Sequence, residues 1–378
     1  MRIPRPILLA LTLLAASAAH GACQEQRIVL YNRDAGAIEI YRLTDPATPI
    51  GPADLLWQSP PLAGGSEVKP ISYLGRKALL ATTEYGAVIY AYPGKTLLFQ
   101  REISGAWDMN IHSALALDDG NVLLADSSGK IAILYPGENE QDLWQTTAQT
   151  RWYPLDYAHG LAYDEDYRWI YAGGYTTVNK YAYAGSGSQA SLQLVTRYDA
   201  SHYYLRCAHY GICSEDADWE DGIHDLYPVD GDNPHLFFLT TGERSFLFDT
   251  SQQADSDNPA AADAAVPIRL DDYPPFYTVD SRYSQQEAPS HQQDKVILRK
   301  GGIKSLSGRL AADDYCTLAH AAPYFTEQLQ YDYYQPVLLY AQQDADRVDY
   351  DLTTENHLQF ANDMRISFYK ARLLPTDF

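Results

Sequence analysis

The sequence is poor in sulfur-containing residues and in positive charge. It holds 4 Cys and 3 Met in 378 residues, and its 28 Lys and Arg stand against 49 Asp and Glu, for a formal net charge of −21. A surface this acidic repels phosphate groups, so we expect no nucleic-acid partner and little affinity for anionic membranes. After the first residues no run is apolar enough to span a bilayer, so we predict no transmembrane segment.

Motifs of several enzyme classes are also missing. The chain has no GxGxxG sequence and no P-loop, so no nucleotide cradle is predicted. It has neither the GxSxG turn of the α/β-hydrolases nor the CxxCH attachment site of a haem.

The N-terminus has the pattern of a secretory signal peptide. Residues 1–21 combine two arginines, a short apolar run and small residues at the cleavage point. We therefore predict a periplasmic or secreted protein whose mature chain, 22–378, is one domain. A lipoprotein anchored at Cys23 is the less favoured alternative, because His20 stands where a lipobox requires an aliphatic residue.

The four cysteines of the predicted mature chain suit an oxidising compartment. Cys207 and Cys213 lie close enough in sequence to close a small loop, which would leave Cys23 to pair with Cys316. The alternative is that all four are free, buried thiols.

A repeated β-hairpin is the strongest pattern in the chain. Five copies, at 27–43, 78–92, 122–135, 169–183 and 236–250, join two β-rich runs by a turn with Gly, and an irregular sixth unit follows from 303. Four-stranded units of roughly 45 residues are typical of propeller blades. We therefore predict an all-β, six-bladed β-propeller, with seven blades as the alternative and an open solenoid or β-sandwich as the competing fold.

Three further segments predict the outer strands and one predicts the closure of the ring. LLWQS at 55–59, LLFQR at 97–101 and DLWQT at 142–146 echo one another after their hairpins. The first hairpin has no strand before it, so we expect the C-terminal segment to complete that blade or to pair beside it, which would close the ring.

Two insertions lengthen connections between blades late in the chain, at 198–221 and 251–291. Such connections share a face with the starts of the inner strands, so both should overhang the mouth of the channel. The first is acidic, which favours a solvated loop over a calcium site. The second contains an aromatic run, 273–277, that would form a lip suited to flat ligands. The alternative is that these aromatic side chains only anchor the loop.

A polar residue recurs at one phase of the repeat, where the strand before each hairpin begins. These residues are Lys69, His112, His159, His224 and Lys304. In a propeller this strand is the innermost one of its blade, so its first residues line the central channel. The alternative is that these side chains only satisfy backbone groups of the channel wall.

These five channel residues suit two kinds of binding site, one for a metal and one for an anion. The imidazoles of His112, His159 and His224 could hold a divalent metal, the one cofactor that we predict. The two lysines favour an anionic ligand, and Lys69 or Lys304 with a lowered pKa would act as base, which makes them the candidate catalytic residues. The candidate ligand-binding residues are His112, His159, His224, Asp225, Ser113 and Ser305.

We therefore predict a channel site that binds, and in one alternative also processes, a small anionic molecule such as an acidic saccharide. The residues are compatible with an enzyme and with a purely binding protein. The competing hypothesis is a non-catalytic scaffold, which would bind a protein partner through the loop face that the insertions enlarge.

The in-phase segments resemble those of a secreted bacterial family of six-bladed propellers of unknown function, which carries one inner-strand motif per blade. The matching pieces are Lys69-Pro70, His112-Ser113, His159-Gly160, His224-Asp225-Leu226, Lys304-Ser305 and Tyr369-Lys370-Ala371-Arg372. The resemblance implies the fold and no particular activity. The channel is also similar to that of metal-dependent oligogalacturonate lyases, in which a metal grips a uronate carboxylate. This sequence departs from that pattern in having lysine at two ring positions.

Overall fold

The computed structural model describes residues 26–43, 48–103, 109–136, 151–175, 177–199, 222–231, 233–241, 245–251, 268–269, 303–309, 316–321, 337–342, 357–358, 360–361, 364, 366–375 and 378. The predicted signal peptide, Cys23 and nearly all of both insertions lie outside these residues. Each predicted cysteine pair also has at least one member outside them.

The described strands form six four-stranded antiparallel sheets, and the described residues contain no α-helix. In chain order the strands are β1 (Gln26–Asn32), β2 (Ala37–Leu43), β3 (Leu55–Gln58), β4 (Val68–Tyr73), β5 (Arg76–Thr82), β6 (Gly86–Ala91), β7 (Leu97–Glu102), β8 (Ile111–Ala116), β9 (Val122–Asp126), β10 (Lys130–Leu134), β11 (Arg151–Pro154), β12 (Gly160–Asp164), β13 (Trp169–Gly173), β14 (Thr177–Ala184), β15 (Ser191–Asp199), β16 (Ile223–Pro228), β17 (Leu236–Thr241), β18 (Ser245–Asp249), β19 (Ile268–Arg269), β20 (Ile303–Arg309), β21 (Cys316–Ala321), β22 (Val337–Gln342), β23 (His357–Leu358) and β24 (Ala371–Leu373). Short 3-10 turns occur at Pro52–Asp54 and Gly187–Gln189. No helix found in the described part of the chain could cross a membrane.

Five sheets consist of four consecutive strands, and the sixth is composite. Its order is β24-β1-β2-β3, and β24 pairs with β1 from Ile28↔Leu373 to Leu30↔Ala371. The predicted all-β propeller is confirmed, as is the completion of the first blade by the C-terminal segment. Five of the described sheets are thus contiguous in sequence, and the sixth is completed by the last described strand of the chain.

The five predicted hairpins are all confirmed, as β1–β2, β5–β6, β9–β10, β13–β14 and β17–β18. The outer strands expected at 55–59 and 97–101 are β3 and β7. The third expected outer strand, 142–146, lies outside the described residues, and β10 pairs instead with β11.

The hydrophobic core lies between neighbouring sheets. On β6, Ile89 packs in the cluster that includes Leu124, whereas the adjacent Val88 packs in the cluster that includes Ile40. Successive residues of a strand point to opposite faces, so one strand serves two interfaces. All four side chains are fully buried, and each contributes roughly 1.5–3 kcal/mol to stability. This burial on both faces holds the sheets side by side around the channel.

Candidate functional site

The innermost strands of the six sheets surround the channel. β8 packs beside β12, β12 beside β16, β16 beside β20, β20 beside β24, and β24 beside β4. Close approach is possible at Gly160 because it has no side chain: a Cβ there would lie 2.6 Å from the backbone nitrogen of Leu226. The predicted ring residues lie in these strands or directly before them, at Lys69, His112, His159, His224 and Lys304.

β-bulges set the direction of three of the predicted channel residues. The pairing of β8 with β9 skips from Ile111 to Ser113, which leaves His112 as the extra residue. The same irregularity occurs at His224 in β16 and at Lys304 in β20. A bulge changes the direction of its residue relative to the pleat, and bulges are frequent next to functional sites.

Lys370 is a sixth in-phase residue that the sequence reasoning did not place in the ring. It directly precedes Ala371 at the start of β24, as Lys304 precedes Ser305 in β20. Lys370 is 1 % exposed. Lys370 belongs to the segment 369–372, which matches the family motif. No hairpin follows this segment, so the hairpin repeat did not predict that Lys370 faces the channel.

A buried network of ion pairs occupies the channel. The Arg372 guanidinium forms a two-pronged contact with Asp225, with nitrogen–oxygen distances of 2.5 and 2.8 Å, and its Nη2 lies 2.6 Å from Oε1 of Glu67. The ammonium of Lys370 lies 3.3 Å from Glu67 and 3.2 Å from Asp225. The two carboxylates are therefore bridged twice, and this pairing offsets the large cost of burying charge.

Lys69 and the two predicted serines belong to the wall of the same channel. The Lys69 ammonium lies 3.3 Å from Glu67 and donates hydrogen bonds of 2.9 Å to Ser113 Oγ and to the carbonyl oxygen of Leu161. The Ser305 hydroxyl donates to the carbonyl oxygen of Ala371 at 3.0 Å. The Lys69 ammonium thus has one ion-pair partner and two hydrogen-bond acceptors.

The three histidines form a continuous aromatic cluster. The rings of His112 and His159 stack with centroids 3.8 Å apart, and the ring of Tyr157 covers the opposite side at 3.9 Å from His159. His224 meets His159 edge-on at 5.4 Å, and its Nε2 lies 3.1 Å from the Lys304 ammonium. The structure thus brings all eight predicted site residues into one channel.

Burial keeps the imidazoles of His112 and His159 neutral. Burial lowers the pKa of His112 well below its usual value, and the cations Lys370 and Lys304 lower it further. The pKa of His159 is likewise well below normal, mainly through burial and then through the neighbouring His112 and His224. A neutral imidazole offers one N–H donor and one lone pair.

Burial acts on the charged groups as well. It lowers the pKa of the Lys69 ammonium, and the nearby carboxylates oppose that shift. Burial alone would raise the pKa of Glu67, but Lys370, Lys69 and Arg372 outweigh it and hold the carboxyl well below its usual range. Glu67 therefore remains ionised at neutral pH.

The histidines do not converge on a common point as metal ligands do. A metal takes lone pairs in the plane of each imidazole, whereas His112 and His159 lie face to face with an interplanar angle of 20°. Among the described residues no group of three or more His, Cys, Asp or Glu side chains could hold a metal ion. The metal therefore stays a prediction.

Sequence reasoning missed Glu67, Arg372 and Tyr157. Arg372 was visible only as part of the terminal matching piece, and its role depends on β24 joining the first sheet. Glu67 and Tyr157 each stand two residues before a ring residue, at Lys69 and His159 respectively. No acid or tyrosine repeats there in the other blades, so the repeat carried no signal for them.

No family model matches the chain, and no curated protein matches it. Among solved structures, it is similar to a putative 6-phosphogluconolactonase from Bacteroides uniformis, with 9 % identity, a TM-score of 0.42, and coverage of 92 % of this chain and 84 % of that one. It is also similar to a periplasmic gluconolactonase of Pseudomonas aeruginosa, with 10 % identity, a TM-score of 0.41, and coverage of 81 % of this chain and 94 % of that one. Likenesses this distant carry no argument about ligand or activity.

Proposed function

We propose that the protein is an exported, six-bladed propeller whose channel binds a small anionic molecule, with acidic sugars as the candidate class. The observation behind the proposal is the convergence of four basic side chains, Lys69, Lys304, Lys370 and Arg372, with three imidazoles in one buried channel. Positive charge acts strongly in a medium of low dielectric, so it favours an anion there. Neutral imidazoles suit the hydroxyl groups of a sugar.

The two predicted catalytic lysines have different roles in this proposal. Lys69 anchors the wall, because its ammonium already contacts Glu67, Ser113 and Leu161. Lys304 lies beside His224 and 5.8 Å from the ring centroid of Tyr369. We assign the ligand to the side of Lys304 because the three histidines cluster there, with His159 between His112 and His224. If the site also processes its ligand, the pair of Lys304 and His224 is where a proton would be exchanged.

Calorimetric titration of the mature protein tests the proposal. D-galacturonate and D-gluconate are compared with their neutral counterparts, D-galactose and D-glucose. The acids should bind and the neutral sugars should not. Lys304→Met should weaken binding by at least about tenfold, because a charge-assisted contact contributes roughly 1.5–3 kcal/mol. Lys77→Met, a change at an exposed lysine of β5, is the matched control and should have no effect. Equal behaviour of acids and neutral sugars would contradict the proposal.

Measuring the metal content of the same protein decides whether the proposed site contains a metal ion. Stoichiometric metal that is lost in a His112→Ala, His224→Ala double variant would support three imidazoles as ligands. Absence of metal in both proteins would leave the anion site without a metal.

The scaffold hypothesis keeps one observation in its favour. Large apolar side chains are exposed on the outer strands of three sheets, at Leu56 in β3, Trp152 in β11, and Leu194 and Val195 in β15. Exposed apolar side chains can contribute to a protein interface. Failure of every anion to bind, together with capture of a protein partner that Lys304→Met leaves unchanged, would favour the scaffold.

A further inference from the structure

His159 is held in a single tautomer by the backbone of Tyr157. Nδ1 of His159 lies 3.0 Å from the Tyr157 carbonyl oxygen. A carbonyl oxygen only accepts hydrogen bonds, so Nδ1 carries the proton. In a neutral imidazole Nε2 then bears the lone pair.

Tyr157 adopts an unusual backbone conformation to make this contact. Its φ is +56°, in the left-handed region that residues other than glycine rarely adopt. Such strain persists only where the surroundings maintain it, and it concentrates at functional sites. Here the surroundings are visible: the N–H of Tyr175 donates to the Asp156 carbonyl at 2.8 Å, and the N–H of His159 donates to the Gly173 carbonyl at 3.0 Å.

The aromatic neighbours of His159 fix its orientation. Tyr157 and His112 cover its two faces, with centroids 3.9 and 3.8 Å away. Space for Tyr157 comes from Gly222, where a Cβ would lie 2.3 Å from the tyrosine ring. The hydrogen bonds that described residues form with His159 involve Nδ1, the backbone N–H and the carbonyl oxygen, and Nε2 takes part in none of them.

We propose that Nε2 of His159 accepts a hydrogen bond from a hydroxyl group of the ligand, and that Tyr157 is the positioning residue that keeps this nitrogen unprotonated. The proposal rests on the function proposed above and narrows the ligand class to hydroxy acids. The basic side chains of the channel attract the carboxylate, and His159 selects for a hydroxyl beside it. A site built to pair with a hydroxyl rejects the analogue that lacks it, since a buried polar atom would lose its partner.

The affinity test compares D-gluconate with hexanoate, which has the same charge and chain length without hydroxyl groups. Gluconate should bind at least about tenfold more tightly, and His159→Leu should reduce that ratio toward one. His159→Gln, whose side-chain oxygen can still accept, should retain part of the preference. Equal affinities for the two acids would overturn the selection by His159 and leave the anion site standing. Binding of neither acid would overturn the function proposed above.

The tautomer test does not depend on any ligand. Two-bond proton–nitrogen correlations of the ¹⁵N-histidine-labelled full chain distinguish the two neutral tautomers, and His159→Gln identifies the signal by its loss. His159 should show a protonated Nδ1 and a bare Nε2 in the wild type. Tyr157→Gly, which suits the left-handed backbone but removes the covering ring, should give a mixture of tautomers. A protonated Nε2 in the wild type would overturn the proposal even if the variants fail to fold.

Discussion

The ammonium of Lys370 lies 3.3 Å from Oε1 of Glu67, a residue 303 positions earlier in the chain. Glu67 precedes the inner strand of the second sheet, and Lys370 precedes the strand that completes the first. The contact therefore joins the first and second sheets inside the central channel. The charge network and the closure of the propeller depend on each other.

Removal of the Arg372 guanidinium should strongly destabilise the protein. Arg372→Met removes one of the positive charges that are paired with the carboxylates of Asp225 and Glu67. Removing one partner of a buried ion pair typically costs about 3–5 kcal/mol. Urea unfolding measures the loss. Lys77→Met should remain within about 0.5 kcal/mol of the wild type. A loss below about 1 kcal/mol for Arg372→Met would contradict a central role for this network.

Deletion of 366–378 should abolish cooperative folding. It removes β24 and the buried Phe368, and it leaves Glu67 and Asp225 without Lys370 and Arg372. Near-ultraviolet circular dichroism and urea unfolding report the loss of fixed packing. Neutralising both acids in the truncated chain, by Glu67→Gln and Asp225→Asn, should restore part of the stability. A truncated protein that unfolds like the full chain would show that the ring closes without β24.

Gly222→Ala should displace the ring of Tyr157. The added Cβ would lie 2.3 Å from that ring, and overpacking of this kind costs about 1–3 kcal/mol. Thermal unfolding measures the change, and the proposed preference for hydroxy acids should weaken with it. Gly94→Ala is the control, because a Cβ there meets no atom closer than 4.0 Å. Equal effects of the two substitutions would show that the stack is not tightly packed.

Stability should decline as the pH falls below about 6.5. The usual pKa of histidine is 6.5, and the folded protein holds His112 and His159 well below it, mainly by burial. Below pH 6.5 the unfolded chain therefore binds protons that the folded protein does not, so each histidine contributes a loss of up to about 1.4 kcal/mol per pH unit. Above that pH this contribution is constant.

Urea unfolding at pH 7.5, 6.5 and 5.5 checks this pH dependence. The variant His112→Gln should lose stability less steeply than the wild type between pH 6.5 and 5.5. Parallel curves for the two proteins would show that His112 binds its proton equally well in both states.

The local parts of the fold could be predicted from the sequence because they depend on neighbours in the chain. The turn between Val122 and Tyr135, with Gly129 at a φ of +110°, is an example. Alternating apolar residues and a turn that needs glycine can be recognised in a short stretch of sequence. The phase of Lys69, His112, His159, His224 and Lys304 could be read in the same way, which is why all five are found in the channel.

Sequence patterns could not supply contacts between distant segments. The pairing of β24 with β1, and with it the positions of Lys370 and Arg372, depends on where the ring closes. The left-handed backbone of Tyr157 depends on packing against Gly222 and His159. The sequence by itself thus determined the hairpins and the polar ring, because these are encoded by local periodicity. The tertiary structure alone decided which acid meets which base and which nitrogen of His159 carries the proton, because those depend on atoms from different blades and on a strained turn.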